Sequence, residues 1–121
     1  MPKYRGGLIA ESIRVGSRLD GVPMLITRIA RRAVDNATPD QPPVWTMIEF
    51  EVDATHAEQL ATALSQVLDQ PGWYTDVQSE SDVFIVFPNR VFRYRRGDRQ
   101  ALAEVQAHAR TLGIPESQLD W

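Results

Sequence analysis

The side chains best able to do chemistry in this chain fall in two short stretches. Glu49, Glu51 and Asp53 alternate along one predicted strand, which sends all three carboxylates to one face. That geometry could hold a divalent cation or a working carboxylate pair. The wet side of an antiparallel strand, or a partner row for Arg28 and Arg32, accounts for the same alternation and is the reading preferred. The second stretch is Arg90-Val91-Phe92-Arg93-Tyr94-Arg95-Arg96. Alternation there puts Arg93 and Arg95 on one face and Phe92, Tyr94 and Arg96 on the other. Arginine interleaved with aromatic rings is a composition that holds single-stranded nucleic acid, by stacking and phosphate contact. Arg93, Arg95, Arg96 and Tyr94 are therefore candidate binding residues, with Trp121 at the chain end as a candidate anchor for a second chain.

The catalytic inventory is thin. His56 and His108 are the only histidines, and neither sits in a His-x-x-x-His or Glu-x-x-His spacing. The absence of cysteine removes a thiol nucleophile, a disulfide and a thiolate metal site. No glycine-rich phosphate loop is present, because Gly6-Gly7 precedes a strand rather than following one. Arg96-Gly97-Asp98 reads as a strand end, a break and a helix cap. No catalytic residue, metal or cofactor is expected. An enzyme would have to use Glu49, Glu51 or Asp76 with a histidine in a cleft of the sheet.

The chain has 121 residues and a net charge of -3, and its charge is unevenly laid out. Residues 1–32 carry a positive excess, 33–89 hold ten acids and no Lys or Arg, and 90–121 are again mildly basic. Basic and acidic segments that neighbour in one sheet would pair across strands. Signs kept on separate surfaces would instead favour self-association or a charged partner. The negative total argues against nucleic acid. The early apolar residues are interrupted by Glu11 and Arg14, and the longest apolar run, Val83 to Phe87, is five residues. Neither an export signal nor a membrane span is expected, so the chain is assigned to the cytoplasm.

Stepping from these groups to their supports, Leu8 to Leu19 places Ile9, Ile13, Val15 and Leu19 on one parity and predicts a strand. Asp20-Gly21 suits a hairpin to a second strand, Met24 to Val34. Pro39, Pro42 and Pro43 mark 36–43 as an exposed loop. A third strand spans Val44 to Val52, Asp53 or Thr55 opens the first helix, Thr55 to Glu58 having capping-box spacing, and Pro71-Gly72 ends it. Strands at 73–78, 83–87 and 91–95 follow, then a helix capped by Asp98 and closed near Gly113. The prediction is one α+β domain, order βββαβββα: a largely antiparallel sheet of five to six strands with two helices packed on it, containing a possible ferredoxin-like half. Residues 1–7 are expected to be a flexible N-terminus and 114–121 a C-terminal tail.

Glu49-Phe50-Glu51-Val52, Gly72-Trp73-Tyr74, 91–98 and the ending Gly113-Ile114-Pro115-Glu116 to Leu119-Asp120-Trp121 together resemble a group of small uncharacterised bacterial proteins of actinobacterial type. The likeness covers 44–121 better than the first third, and it implies no activity. Read from its residues, the chain is a non-enzymatic interaction or regulatory module with a protein partner or a second copy of itself. Nucleic-acid or small-ligand binding through 90–96 is the alternative.

Overall fold

Tyr4, Gly6 and Leu8 alternate with Lys3, Arg5 and Gly7. In the computed structural model, which describes residues 3–119, they form strand β1, Lys3–Ile9. β2 is Leu25–Ala33, β3 Val44–Asp53, helix α1 Ala54–Val67, β4 Thr75–Gln78, β5 Asp82–Phe87, β6 Arg90–Arg95 and helix α2 Arg99–Thr111. The strands make one antiparallel sheet in the order β2-β3-β1-β4-β5-β6. This is an α+β architecture with the predicted order of elements.

At the start of the chain two boundaries and one pairing differ from expectation. The segment expected to be a flexible N-terminus holds most of β1, which is paired on both edges, by β3 and by β4. The strand expected over Leu8 to Leu19 ends at Ile9, and Ala10–Ser12 make a single 3-10 turn. The period-two pattern beyond it belongs to a connection. Ile13, Leu19, Val22 and Met24 dip from it into the core beside α1, while Arg14 N–H and Ser12 C=O bond the end of that helix at 2.8 Å. Consequently no hairpin forms at Asp20-Gly21, and β1 and β2 lie on either side of β3. Where β1 stops, the Glu11 carboxylate replaces it, accepting from the Thr46 amide at 2.6 Å and the Thr46 hydroxyl at 2.8 Å. Burial pushes that carboxyl up, but the two Thr46 bonds and Arg31 outweigh it and leave it below its ordinary value.

The two helices cover opposite faces. Tyr4, Leu8, Phe50, Val52, Val77, Phe84 and Val86 meet Leu60, Ala61 and Leu64 of α1 in one core. Val83, Ile85 and Phe87 point the other way and meet Val105 and Ala109 of α2, closed below by Ile114 and Leu119. Only β5 is sealed on both sides, which is why its sequence is apolar at both parities. Each fully buried Leu, Ile or Phe here contributes about 1.5–3 kcal/mol relative to exposure. Ile114 and Leu119 are 3% and 7% exposed, so the segment expected to be a tail is seated in the second core as far as Leu119.

The local signals at α2 hold: Asp98 accepts from the Ala101 amide at 3.0 Å, and Gly113 follows the last turn at φ 77°. At α1 the cap position is Asp53, one of the two expected openings, though without a side-chain bond, and the capping box expected at Thr55 does not form. The proline-rich 36–43 segment is a loop, yet Gln41 within it is buried and ties Thr38 N–H and Gly72 C=O at 3.0 Å each.

Candidate functional site

Helix α2 lies over β5 and β6 only, so the same face of β3, β1 and β4 stays open. Cross-strand partners share a face, and the register therefore lays the side chains out in rows. One row runs Arg28, Glu49, Gly7, Asp76, Ile85, Phe92 from β2 to β6. The next runs Leu25, Glu51, Arg5, Gln78, Val83, Tyr94. The polar part of these rows lines an open trough of about 1380 Å³, with Arg96 and the 79–81 turn at its rim.

Most charges on this face are answered across strands. Glu51 receives Lys3 at 3.8 Å and Arg5 at 3.4 Å, and Glu49 receives Arg28 at 3.8 Å. The three sequence segments of different sign are thus neighbouring strands rather than separate surfaces. Arg96 donates to Ser79 C=O at 2.8 Å and to Gln78 Oε1 at 2.6 Å, while Gln78 donates from its amide to Asp76. Asp76 is half-buried, and among the described residues no cationic nitrogen lies within ion-pair reach of it. Burial pushes its carboxyl above the ordinary value, against the opposing pull of Gln78 and Arg96.

The candidate residues of the 90–96 stretch do not form one site. As the alternation predicts, Arg93 and Arg95 face the α1 side and Tyr94 and Arg96 the other. Arg93 bonds Asp82 at 3.3 Å, the same carboxylate that accepts from the Tyr4 hydroxyl at 3.0 Å. Tyr94 packs at the edge of the second core, where burial pushes its phenol up, and Phe92 lies against Phe87 and His108. Only Arg96 reaches the trough. Trp121 lies outside the described residues.

Glu49, Glu51 and Asp76 do line one concavity, but neither histidine joins them. His56 sits in the first turn of α1 beside Thr55. His108 packs 4.9 Å from the Phe87 ring, with its Nε2 buried and unbonded. Burial, then Arg90, holds His108 below its ordinary 6.5. The unfolded chain takes up the proton first, so this contribution to stability is complete above pH 6.5 and is lost as the pH falls below it. Urea unfolding of the wild type is expected to show that slope as the pH falls below about 6.5, and His108→Leu to flatten it. Among the described residues no group of three His, Asp or Glu side chains is placed to hold a metal ion, and no helix is long and apolar enough to cross a membrane.

The site offers a polar floor with fixed donors and acceptors, and among the described residues its carboxylates have no histidine beside them. Set against protein-family models, curated proteins and solved structures, the chain matches none.

Proposed function

We propose that the chain is a self-associating interaction module that pairs with a second copy along the outer edge of β2. One observation carries this reading. β2 is nine residues long with no strand on its outer side, and Leu25, Ile26 and Ile29 on it are 59%, 47% and 62% exposed. The sheet's other edge, β6, has six residues and its apolar side chains are half-buried, whereas β2 is longer and leaves its apolar side chains in solvent between Arg28, Arg31 and Arg32, with a bulge between Ile26 and Arg28. A long edge with exposed apolar side chains is a template for pairing.

A second copy fits better than an unrelated strand because β2 is self-complementary in antiparallel register. Centring the two-fold axis on Ile29 stacks the two Ile29 side chains and sets Arg28 opposite Ala30 of the second copy, so that Arg28 does not face an arginine. The arginines of both copies still approach, and salt screening relieves that repulsion. Sedimentation velocity at micromolar concentration is expected to show a dimer that tightens as salt is raised. Ile29→Lys should give a monomer whose urea midpoint does not vary with protein concentration and equals that of the wild type diluted below its dimer range, since within one chain it alters a side chain that is 62% exposed. A wild-type monomer across that range, or a dimer that survives Ile29→Lys, overturns the reading. Association that weakens with salt would point instead to an acidic partner strand and also count against it.

A further inference from the structure

Gly7 has no structural reason to be glycine. It lies in the interior of the central strand, its φ is not in the left-handed region, and a Cβ placed there would meet nothing nearer than the Ile48 carbonyl oxygen at 4.0 Å. Its neighbour Gly6 is the opposite case, with the Asp76 carbonyl oxygen 2.4 Å from the place a Cβ would occupy. Glycine inside a strand weakens it, and one that neither turns the chain nor relieves a clash marks a place another molecule approaches closely. Gly7 is also the floor of the trough, between Glu49 on one side and Asp76 on the other.

The trough is polarised along the strand direction. At the Gly7 end stand two carboxylates, Glu49 in a loose pair with Arg28, and Asp76, which among the described residues has no cationic nitrogen within ion-pair distance and feels Arg96 only from farther off. At the other end stand Lys3, Arg5 and Arg96 against Glu51 and the rim carboxylate of Glu80, with Lys3 and Arg5 sharing Glu51. Arg96 is held by neutral acceptors alone. A half-buried carboxylate without a counter-ion is costly to keep unless something cationic visits it.

We propose that the trough binds a small zwitterion, its ammonium seated over Gly7 between Glu49 and Asp76 and its carboxylate on Arg5 and Arg96. Gly7 and Arg5 are two residues apart on one strand, about 7 Å, which suits an ω-amino acid with a short methylene chain. The side chain missing at Gly7 is the space the ammonium and its first methylenes occupy.

Calorimetric titration with 5-aminopentanoate, pentanoate and pentylamine tests this. The zwitterion is expected to bind, and each half-molecule to bind at least about tenfold more weakly, since each loses one charge-assisted set of contacts. Gly7→Leu should abolish binding because it fills the floor, while its Cβ meets no clash, and a urea midpoint near that of the wild type checks that the variant is folded. Asp76→Asn should weaken the zwitterion and pentylamine by a similar factor and leave pentanoate unchanged. The proposal falls if the wild type binds none of the three, if the half-molecules bind as well as the zwitterion, or if Gly7→Leu binds like the wild type. The dimer reading is independent, as Ile29→Lys leaves the trough intact and should leave 5-aminopentanoate binding in place.

Discussion

Gly6→Ala is expected to destabilise the protein by about 1–3 kcal/mol or more, while the same change one residue on, Gly7→Ala, raises stability by about 0.5–1 kcal/mol. The first Cβ would sit 2.4 Å from the Asp76 carbonyl oxygen and 2.7 Å from Phe50 Cζ. Neither neighbour can give way cheaply. The carbonyl belongs to the β1–β4 ladder, and the Phe50 ring, 1% exposed, lies across Gly6 as its cross-strand partner and is walled in by the core around α1. Since a domain of this size holds only about 5–15 kcal/mol in total, the loss is a large share. At Gly7 there is open space, so alanine removes freedom from the unfolded chain and costs the folded one nothing. Urea midpoints of the two variants, read beside the wild type, should move in opposite directions. Equal shifts would contradict the close packing of Phe50 on β1.

Phe87→Ala is expected to cost about 3–5 kcal/mol and, before the sheet melts, to free α2. Phe87 is fully buried at the centre of a ring cluster: His108 at 4.9 Å, Phe92 edge-on at 5.9 Å and Tyr74 at 6.2 Å. The helix itself buries just Val105 and Ala109, so its attachment depends on the surface that Phe87 provides. Hydrogen exchange should show α2 amides losing protection through local opening while amides of β1 and β3 still exchange by global unfolding. Phe50→Ala supplies the control. It removes the same ring from the opposite face, and α2 protection should then fall only in step with global stability.

How far this arrangement is legible in the residues depends on the range of the signal. Asp98 before a helical stripe, Gly113 after it, Pro88-Asn89 between two apolar runs and the double-sided apolarity of Val83 to Phe87 are each settled within a few positions, and each is where the structure has it. β1 is not local in this sense. Gly6-Gly7 falls in the expected flexible N-terminus, ahead of the expected strand, because the reason for Gly6 is the ring of Phe50, far along the chain. The Ile9 to Leu19 parity misleads because connection residues that plug a core can repeat by twos without hydrogen-bonding as a strand. Strand order is lost for the same cause, and with it the site: Glu49, Glu51 and Asp76 stand out as acids, but that Gly7 lies between two of them follows only from the register. The arginine-aromatic run is the converse. It is conspicuous in sequence, yet Arg93 is held by Asp82 on one face and Phe92 and Tyr94 serve the core on the other. The charge blocks were readable as cross-strand neighbours, although not which strand would neighbour which.

The place of β1 also governs how the chain is made. Gly6 finds its two ladder partners, Phe50 and Val77, only 44 and 71 residues later. During vectorial synthesis β1 therefore leaves the ribosome before either of its partner strands, and one of its flanks waits until β4 emerges. Such non-local closure slows folding and lengthens exposure to wrong partners. Lys3, Arg5 and the two weak strand formers Gly6 and Gly7 keep that waiting segment poor bait for aggregation until its neighbours arrive.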